Sequence, residues 1–251
     1  MTSPAPTTLG LTGRSIVVTG AASGIGAATA AFLAAAGARL TLVDLDPERL
    51  QGVASGFESS SAPLVVGADI GDEGSVARVF ASAVETWGAV DGVVHAAGIM
   101  RDQRLDIREL PLASWSALLK VNLTGSFLVG REAARTLGEG GVLVLVGSGG
   151  GFTGPSGSIS YGASKGGVQG LALTLAEQLR PRGIRVHNFC PGIVDTPLVA
   201  ASLAAGVRNG GSAEDAARMR LSATDPTDVG AAIALLLSPH AGALTGAVFS
   251  R

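Results

Sequence analysis

From Ser15 onward, short apolar runs alternate with longer stretches that are rich in alanine and leucine. The first three segments are a run at residues 15–19, a stretch at residues 27–36 and a second run at residues 40–44. The runs predict strands and the longer stretch predicts a helix. Within the runs, apolar and polar positions do not alternate, which is typical of a parallel sheet that is covered on both faces.

The same alternation continues along the rest of the chain, except at residues 197–221, which are rich in alanine and glycine and less regular. It predicts further strands at residues 64–66, 90–95, 142–146, 185–190 and 246–250, and helices at residues 73–87, 114–137, 161–180 and 227–237. No linker or repeat divides the chain. We therefore expect one α/β domain over residues 1–251, a Rossmann-type doubly wound fold with a mainly parallel seven-stranded sheet and helices on both faces. Residues 1–10 are expected to be a flexible extension.

Composition and charge argue against several classes of protein. The chain has 251 residues, 47% of them hydrophobic and 15% charged, with a formal net charge of -2 and no run of lysine or arginine, so nucleic-acid binding is not expected. The single cysteine, Cys190, and the three histidines show no metal-ligand spacing, so no metal site is expected. Neither a signal peptide nor a membrane span is indicated. These features favour a cytoplasmic protein.

A glycine-rich turn separates the first predicted strand from the first helix. Residues 19–26 read Thr-Gly-Ala-Ala-Ser-Gly-Ile-Gly, with Ser23 and Ile25 between the last glycines. Glycines at Gly20, Gly24 and Gly26 allow close backbone approach, and the helix N-terminus presents free N–H groups to a pyrophosphate. The alternative is a tight turn whose glycines only let the helix and strand pack together.

Asp44 ends the second predicted strand, about twenty residues after the glycines. A carboxylate there can accept hydrogen bonds from the ribose hydroxyls of a dinucleotide, and it repels a 2′-phosphate. Neither Ser23 nor Leu45 is basic, so the sequence favours NAD over NADP. The alternative is that Asp44 caps the following helix, which has Pro47 in its first turn.

Tyr161, the one tyrosine, stands four residues before Lys165, one of two lysines in the chain. Four residues are about one helical turn, so both side chains are expected on the same face. An ammonium beside a phenol stabilises the phenolate, which predicts a lowered pKa for Tyr161 and a role as an acid/base near neutral pH. The alternative is an incidental pair on a surface helix.

Ser148 follows the predicted strand at residues 142–146 and precedes Tyr161 by thirteen residues. The carboxyl end of a parallel strand is where α/β sheets bind their ligands, so this hydroxyl is a candidate hydrogen-bond partner for a substrate oxygen. The alternative is a polar turn residue. A hydrolase nucleophile is not indicated, because no clear helix follows Ser148 and no histidine base is suitably placed.

Together these residues resemble the single-domain short-chain dehydrogenase/reductase family, over about residues 11–249. The motifs occur in the expected order: residues 19–26, Asp69-Ile70, His95-Ala-Ala-Gly98, Asn122, Ser148, Tyr161, Lys165 and residues 191–196. His95 and Ala96 stand where many relatives have asparagines, which leaves the backbone contacts possible.

The resemblance implies a role for each of these residues. Tyr161 exchanges a proton with the substrate, Ser148 orients the substrate oxygen, Lys165 binds the nicotinamide ribose and stabilises the phenolate, and Asn122 positions a water. Asp69 and Ile70 contact adenine, and residues 191–196 hold the carboxamide side of the nicotinamide. The implied cofactor contacts are Gly20, Ser23, Gly24, Ile25, Gly26, Asp44, Asp69, Ile70, Ala96, Ala97, Gly98, Tyr161, Lys165, Pro191, Gly192, Val194 and Thr196.

The predicted function is therefore that of an NAD-dependent alcohol dehydrogenase or ketone reductase. The apolar character of residues 197–221, interpreted as a mobile lid, predicts a neutral, moderately apolar substrate. Arginines at Arg208, Arg218 and Arg220 leave open a carboxylate site on that lid, although a solvated helix face is the alternative.

The sequence leaves two other functions open and, by the resemblance, implies an assembly. A non-catalytic NAD-binding sensor or regulatory protein could have the same fold. An isomerase with tightly held NAD is a third hypothesis, but such relatives usually carry a larger sugar-nucleotide domain. The resemblance also implies a homo-oligomer, specifically a tetramer in which the helices at residues 114–137 and 161–180 pair between subunits.

Overall fold

A computed structural model describes residues 9–57 and 62–250. Most of the predicted N-terminal extension therefore lies outside the described residues, although Leu9 packs against the core. The strands are β1 Ser15–Thr19, β2 Arg39–Asp44, β3 Leu64–Gly67, β4 Val90–His95, β5 Leu137–Val146, β6 Arg185–Cys190 and β7 Gly246–Phe249. The α-helices are α1 Gly24–Ala35, α2 Pro47–Ala54, α3 Glu73–Trp87, α4 Leu112–Leu119, α5 Gly125–Thr136, α6 Ile159–Leu179, α7 Pro197–Arg208, α8 Ala213–Leu221 and α9 Pro226–Leu237.

The seven strands form one sheet in the order β3-β2-β1-β4-β5-β6-β7, and every neighbouring pair is parallel. The predicted doubly wound α/β fold is confirmed. From β1 the chain winds outward to β3 and then returns to β4 on the other side of β1. A crevice therefore opens at the carboxyl ends of β1 and β4, where such sheets bind ligands.

Apolar side chains are buried on both faces of the sheet. One cluster contains Leu33 of α1 and Ile233 of α9, and the other contains Phe80 of α3 and Val168 of α6. Because helices cover both faces, all five positions of β1 are buried. This double burial explains why the predicted strands lack an apolar/polar alternation.

The prediction of one continuous helix at residues 114–137 is wrong, because the helix is interrupted and ends before Leu137. A π-helical turn at Lys120–Thr124 separates α4 from α5, and Leu137 already belongs to β5. A π turn inserts an extra residue into a helix and is frequent at functional sites. Here the turn contains the buried Asn122, whose amide bonds the loop after β4.

Residues 197–221 are more regular than the sequence indicated. They form α7 and α8, whose first turns are capped by the hydroxyls of Thr196 and Ser212. Alanine has the highest intrinsic helix propensity, which accounts for helices in a segment without a strong apolar period. The sequence also gave no separate prediction for the short helix α2.

The stretch Leu112–Thr136 is long and apolar enough to cross a membrane by length and composition alone. In this fold it packs against the sheet and α6, and it contains the buried Asn122 and Glu132. The stretch is therefore part of the layer that covers the sheet, although only 33% of its most apolar window is buried.

Candidate active site

The turn after β1 requires glycine. Gly20 has a φ of +70°, and a Cβ atom there would lie 2.6 Å from the backbone nitrogen of Ala97. The first turn of α1 carries no acidic side chain, and its N-cap Ser23 makes no capping hydrogen bond. The N–H groups in the first turn of α1 are therefore free to bind an anion, which fits a pyrophosphate.

Two adjoining cavities contain all the predicted cofactor contacts. The first, the cofactor cavity, has a volume of about 320 Å³ and is lined by Gly20, Ser23, Gly24, Ile25, Gly26, Asp44, Asp69, Ile70, Ala96, Ala97, Gly98 and Thr196, among others. The second, the catalytic cavity, has a volume of about 350 Å³ and is lined by Ser148, Tyr161, Lys165, Pro191, Gly192 and Val194, among others. They share Ile25, Ala96, Gly98, Thr196 and Leu198, so a ligand that fills one reaches the other.

Asp44 lies at the rim of the cofactor cavity and does not cap α2. Its carboxylate accepts hydrogen bonds from the N–H of Ala22 at 3.1 Å and of Leu45 at 2.8 Å. The side chain that caps α2 is Asp46, which accepts from two N–H groups of the first turn. The capping alternative for Asp44 is therefore wrong, and its carboxylate is fixed beside the glycine turn.

His95 connects the end of β4 to the end of β1. Its Nδ1 lies 2.8 Å from the hydroxyl of Thr19, and that hydroxyl also accepts from the N–H of Ala97 at 3.4 Å. Burial, together with the charge of Lys165, lowers the pKa of His95 to about 3. The imidazole is therefore neutral and holds the turn and the β4 loop in register.

The catalytic candidates converge at the carboxyl ends of β5 and β6. The hydroxyl of Ser158 accepts from the N–H of Tyr161 at 3.3 Å and starts α6, which places Tyr161 in the first turn. Lys165 follows one turn later on the same face, with Nζ 5.7 Å from the centre of the Tyr161 ring. Ser148 lines the same cavity as Tyr161 and Lys165. Three polar side chains thus meet in one cavity.

The pKa of Tyr161 shifts in the direction opposite to the sequence prediction. Burial raises it, and the hydrogen bond from Ser148 only partly opposes this rise. Lys165, whose Nζ donates to the carbonyl oxygen of Val146 at 2.7 Å, does not contribute to this shift. Burial lowers the pKa of Lys165 itself to about 8. Tyr161 is therefore a protonated phenol at neutral pH, which suits a proton donor.

Asn122 lies behind the site and lines neither cavity. Its Oδ1 accepts from the N–H of Ile99 at 2.8 Å, and its Nδ2 donates to the carbonyl of Ile99 at 2.9 Å and to the hydroxyl of Ser164 at 3.2 Å. A Cβ on Gly98 would lie 3.3 Å from Asn122 Oδ1 and 3.8 Å from Lys165 Nζ. The amide therefore fixes the loop that passes beside the lysine.

Sequence reasoning missed two polar residues of the loop after β4. Arg101 lines the cofactor cavity, and Gln103 lines the catalytic cavity. A basic residue shortly after a strand end is a sequence signal that could have marked Arg101. No sequence signal marks Gln103, because its position depends on a partner far away along the chain. Its Nε2 donates at 2.6 Å to the hydroxyl of Ser202, 99 residues away.

Two of the three lid arginines are paired with carboxylates. Arg220 lies 3.3 Å from Asp195, and Arg218 lies 3.2 Å from Asp215. Arg218 also lines a third cavity of about 450 Å³, the outer cavity, which adjoins the catalytic cavity. Arg208 is exposed and lines none of these three cavities. The pairing favours the solvated helix face over a carboxylate site.

Cys190 is buried beneath the site, and burial raises the pKa of its thiol, so it is a packing residue. Among residues 9–57 and 62–250, no three His, Cys, Asp or Glu side chains are grouped as metal ligands.

The fold and the site define a nicotinamide-dependent oxidoreductase of the doubly wound class: a glycine turn faces the crevice, and a Ser-Tyr-Lys set lies beside it. Residues 20–250 match the family model described as Enoyl-(Acyl carrier protein) reductase. The chain belongs to the short-chain dehydrogenase/reductase family, as the sequence motifs predicted.

Similar proteins cover almost the whole chain. A cis-4-hydroxycyclohexanecarboxylate dehydrogenase of Sinomonas cyclohexanicum is 39% identical over 94% of this chain and 94% of its own. A 3beta-hydroxysteroid dehydrogenase 2 of Eggerthella lenta is 33% identical over 94% and 92%, respectively. A short-chain dehydrogenase from Burkholderia cenocepacia, solved in complex with NADP, has a TM-score of 0.84 and 32% identity over 96% of this chain and 97% of its own.

Proposed function

We propose that this protein is an NAD-dependent dehydrogenase/reductase that interconverts a secondary alcohol and a ketone. The observation that carries the proposal is the convergence of Ser148, Tyr161 and Lys165 in a cavity that adjoins the glycine turn. When bound there, the nicotinamide supplies or accepts the hydride. The remaining chemistry is a proton transfer and the orientation of one oxygen, for which these side chains suffice.

Each catalytic side chain has a distinct part in this proposal. Tyr161 donates its phenolic proton to the carbonyl oxygen in reduction and takes it back in oxidation. Ser148 holds that oxygen by a hydrogen bond. Lys165 binds the nicotinamide ribose, and its positive charge favours the phenolate once the proton has left. Asn122 positions Lys165 and a connecting water through the Ile99 loop.

The proposed cofactor contacts follow the cofactor cavity. The glycine turn binds the pyrophosphate, Asp69 and Ile70 contact adenine, and residues 191–196 hold the carboxamide. Asp44 supports NAD over NADP, because a fixed carboxylate accepts from ribose hydroxyls and repels a 2′-phosphate. Arg101, six residues beyond the end of β4, also lines this cavity.

We expect a neutral, moderately apolar substrate. The catalytic cavity is lined by the apolar side chains of Met100, Leu198, Val199, Leu203 and Met219, three of which belong to α7. The helices α7 and α8 are proposed to move as a lid over the bound substrate. Two of the similar proteins are named for hydroxyl groups on saturated rings, which supports an alicyclic secondary alcohol here.

The proposal is tested by the appearance of NADH with a panel of secondary alcohols. Tyr161→Phe removes the hydroxyl and keeps the ring, so kcat is expected to fall by about 10²–10⁴, while NAD affinity changes little. The same assay with NADP tests the cofactor. Tight NAD binding without turnover of any alcohol or ketone would instead favour the non-catalytic sensor.

We also propose a cytoplasmic homotetramer that pairs α5 and α6 between subunits. Phe127 of α5 and Leu173 of α6 are 47% and 52% exposed, and only 33% of the most apolar window of Leu112–Thr136 is buried. Exposed apolar helix faces of this kind favour a partner surface. Sedimentation at micromolar concentration is expected to give a tetramer, and a monomer would contradict the pairing.

A further inference from the structure

Gln103 lies on the wall between the catalytic cavity and the outer cavity. Both cavities are lined by Gln103, Gly157, Ser202, Leu203 and Met219. Leu203 and Met219 are apolar, so Gln103 and Ser202 supply the polar side chains of this shared wall. A polar pair on a mainly apolar wall fixes the orientation of a ligand rather than its overall affinity.

The hydrogen bonds of this pair leave one acceptor unused. Gln103 Nε2 donates to Ser202 Oγ at 2.6 Å and to Met100 Sδ at 3.0 Å, so both of its N–H groups have partners. Ser202 Oγ, on a residue that is only 5% exposed, donates to Met100 Sδ at 3.1 Å. Within the part of the chain that the structure describes, Gln103 Oε1 accepts no hydrogen bond. The amide is thus held with its carbonyl oxygen available.

Gly157 provides the space for that carbonyl oxygen. A Cβ atom on residue 157 would collide with Gln103 Oε1, and the backbone of Gly157 is not in the left-handed region. Glycine is therefore required here for space and not for backbone conformation. An alanine would displace the amide of Gln103 without removing it.

The two residues that flank Gln103 have sparsely populated backbone conformations. The flanking residues Asp102 and Arg104 have φ values of 56° and 60°, which non-glycine residues rarely adopt. Arg104 N–H donates to the carbonyl of Gly157 at 2.7 Å, and Asn209 Nδ2 donates to the carbonyl of Gln103 at 2.8 Å. Strained residues that surrounding contacts keep in place are concentrated at ligand sites.

We infer that Gln103, positioned by Ser202, determines substrate specificity by accepting a hydrogen bond from a second hydroxyl group of the substrate. The preferred substrate is then a diol or a hydroxyketone rather than a simple alcohol. A carboxylate does not fit this position, because the available atom is an acceptor and both amide donors are engaged. This inference rests on the proposed function, since it names the substrate class of the same site.

The test compares kcat/KM for cyclohexanol with kcat/KM for the 1,2-, 1,3- and 1,4-cyclohexanediols. The best diol is expected to exceed cyclohexanol by at least about tenfold, equivalent to about 1.4 kcal/mol. Gln103→Met keeps the side-chain length and removes the acceptor, so this ratio is expected to approach one. Gly157→Ala displaces the amide of Gln103 and is also expected to lower the ratio of diol to cyclohexanol kcat/KM. Gln51→Met, the same change at an exposed position on α2, is the control and leaves the ratio unchanged.

The outcomes separate this inference from the proposed function. If the wild type oxidises cyclohexanol and no diol is better by more than about twofold, the Gln103 inference is wrong and the proposed function stands. Retention of the diol preference in both Gln103→Met and Gly157→Ala also overturns the Gln103 inference. If the wild type oxidises neither these compounds nor any alcohol of the wider panel, the proposed function fails and this inference fails with it.

Discussion

Replacing Asn122 with alanine tests whether one buried amide holds the active-site loop. Its side chain makes three hydrogen bonds, two with the backbone of Ile99 and one with Ser164. Alanine removes all three. Ser164 keeps a partner, because its hydroxyl also donates to the carbonyl of Tyr161 at 2.8 Å. The N–H and carbonyl of Ile99 lose the partner on which they depend.

The expected loss of stability follows from these two stranded groups. Leaving a buried backbone group without a partner costs about 1–3 kcal/mol. Ile99 is half-buried, so the lower part of that range applies to each group, and the unfolding free energy falls by about 2–4 kcal/mol in total. For a domain of this size, about 2–4 °C of melting temperature correspond to each kcal/mol, which gives a decrease of about 4–16 °C.

Urea unfolding of the wild type and Asn122→Ala, at one protein concentration, measures this difference. Asn209→Ala is the matched control, because Asn209 is exposed and bonds a single carbonyl, that of Gln103. Its expected effect is below about 1 kcal/mol. If Asn122→Ala costs no more than this control, Ile99 is satisfied in another way and the reasoning is refuted. Catalytic activity is a second readout, since the same loop passes Lys165.

Two further predictions concern charge. Asp44→Asn keeps an acceptor oxygen but removes the negative charge beside the glycine turn, so the ratio of kcat/KM with NAD to that with NADP is expected to fall by about tenfold or more. A ratio that does not change would exclude Asp44 as the selector. The second prediction follows from His95, whose folded-state pKa is lowered to about 3, so that it takes up a proton on unfolding between pH 3 and pH 6.5. The unfolding free energy is expected to decrease as pH falls through that window. In His95→Asn the slope of unfolding free energy against pH is expected to be smaller by up to about 1.4 kcal/mol per pH unit, which corresponds to one proton. Equal slopes for the two proteins would show that His95 is not the group responsible.

Features encoded within single elements were predictable from the sequence. The bounds of α3, β4 and β6 agree with the prediction, because uninterrupted apolar runs and helical periods are local properties. The glycine turn was predictable for the same reason, since its residues are contiguous. The pair Tyr161 and Lys165 is one helical turn apart, so the helix itself brings them together.

Features that depend on which elements pack together were not predictable. The sequence predicted a lowered pKa for Tyr161, whereas burial in the assembled cavity raises it. The π turn at Lys120–Thr124 contains Asn122, whose contact with Ile99 joins two separate segments of the chain.

The sequence by itself therefore determined the mainly parallel sheet, the glycine-rich turn after β1 and the candidate catalytic side chains. Only the tertiary structure decided the protonation of Tyr161 and the position of Gln103 against Ser202. The physical reason is that burial and hydrogen bonds over long sequence separations arise when helices and loops cover the sheet. Neither apolar periodicity nor motif spacing carries that information.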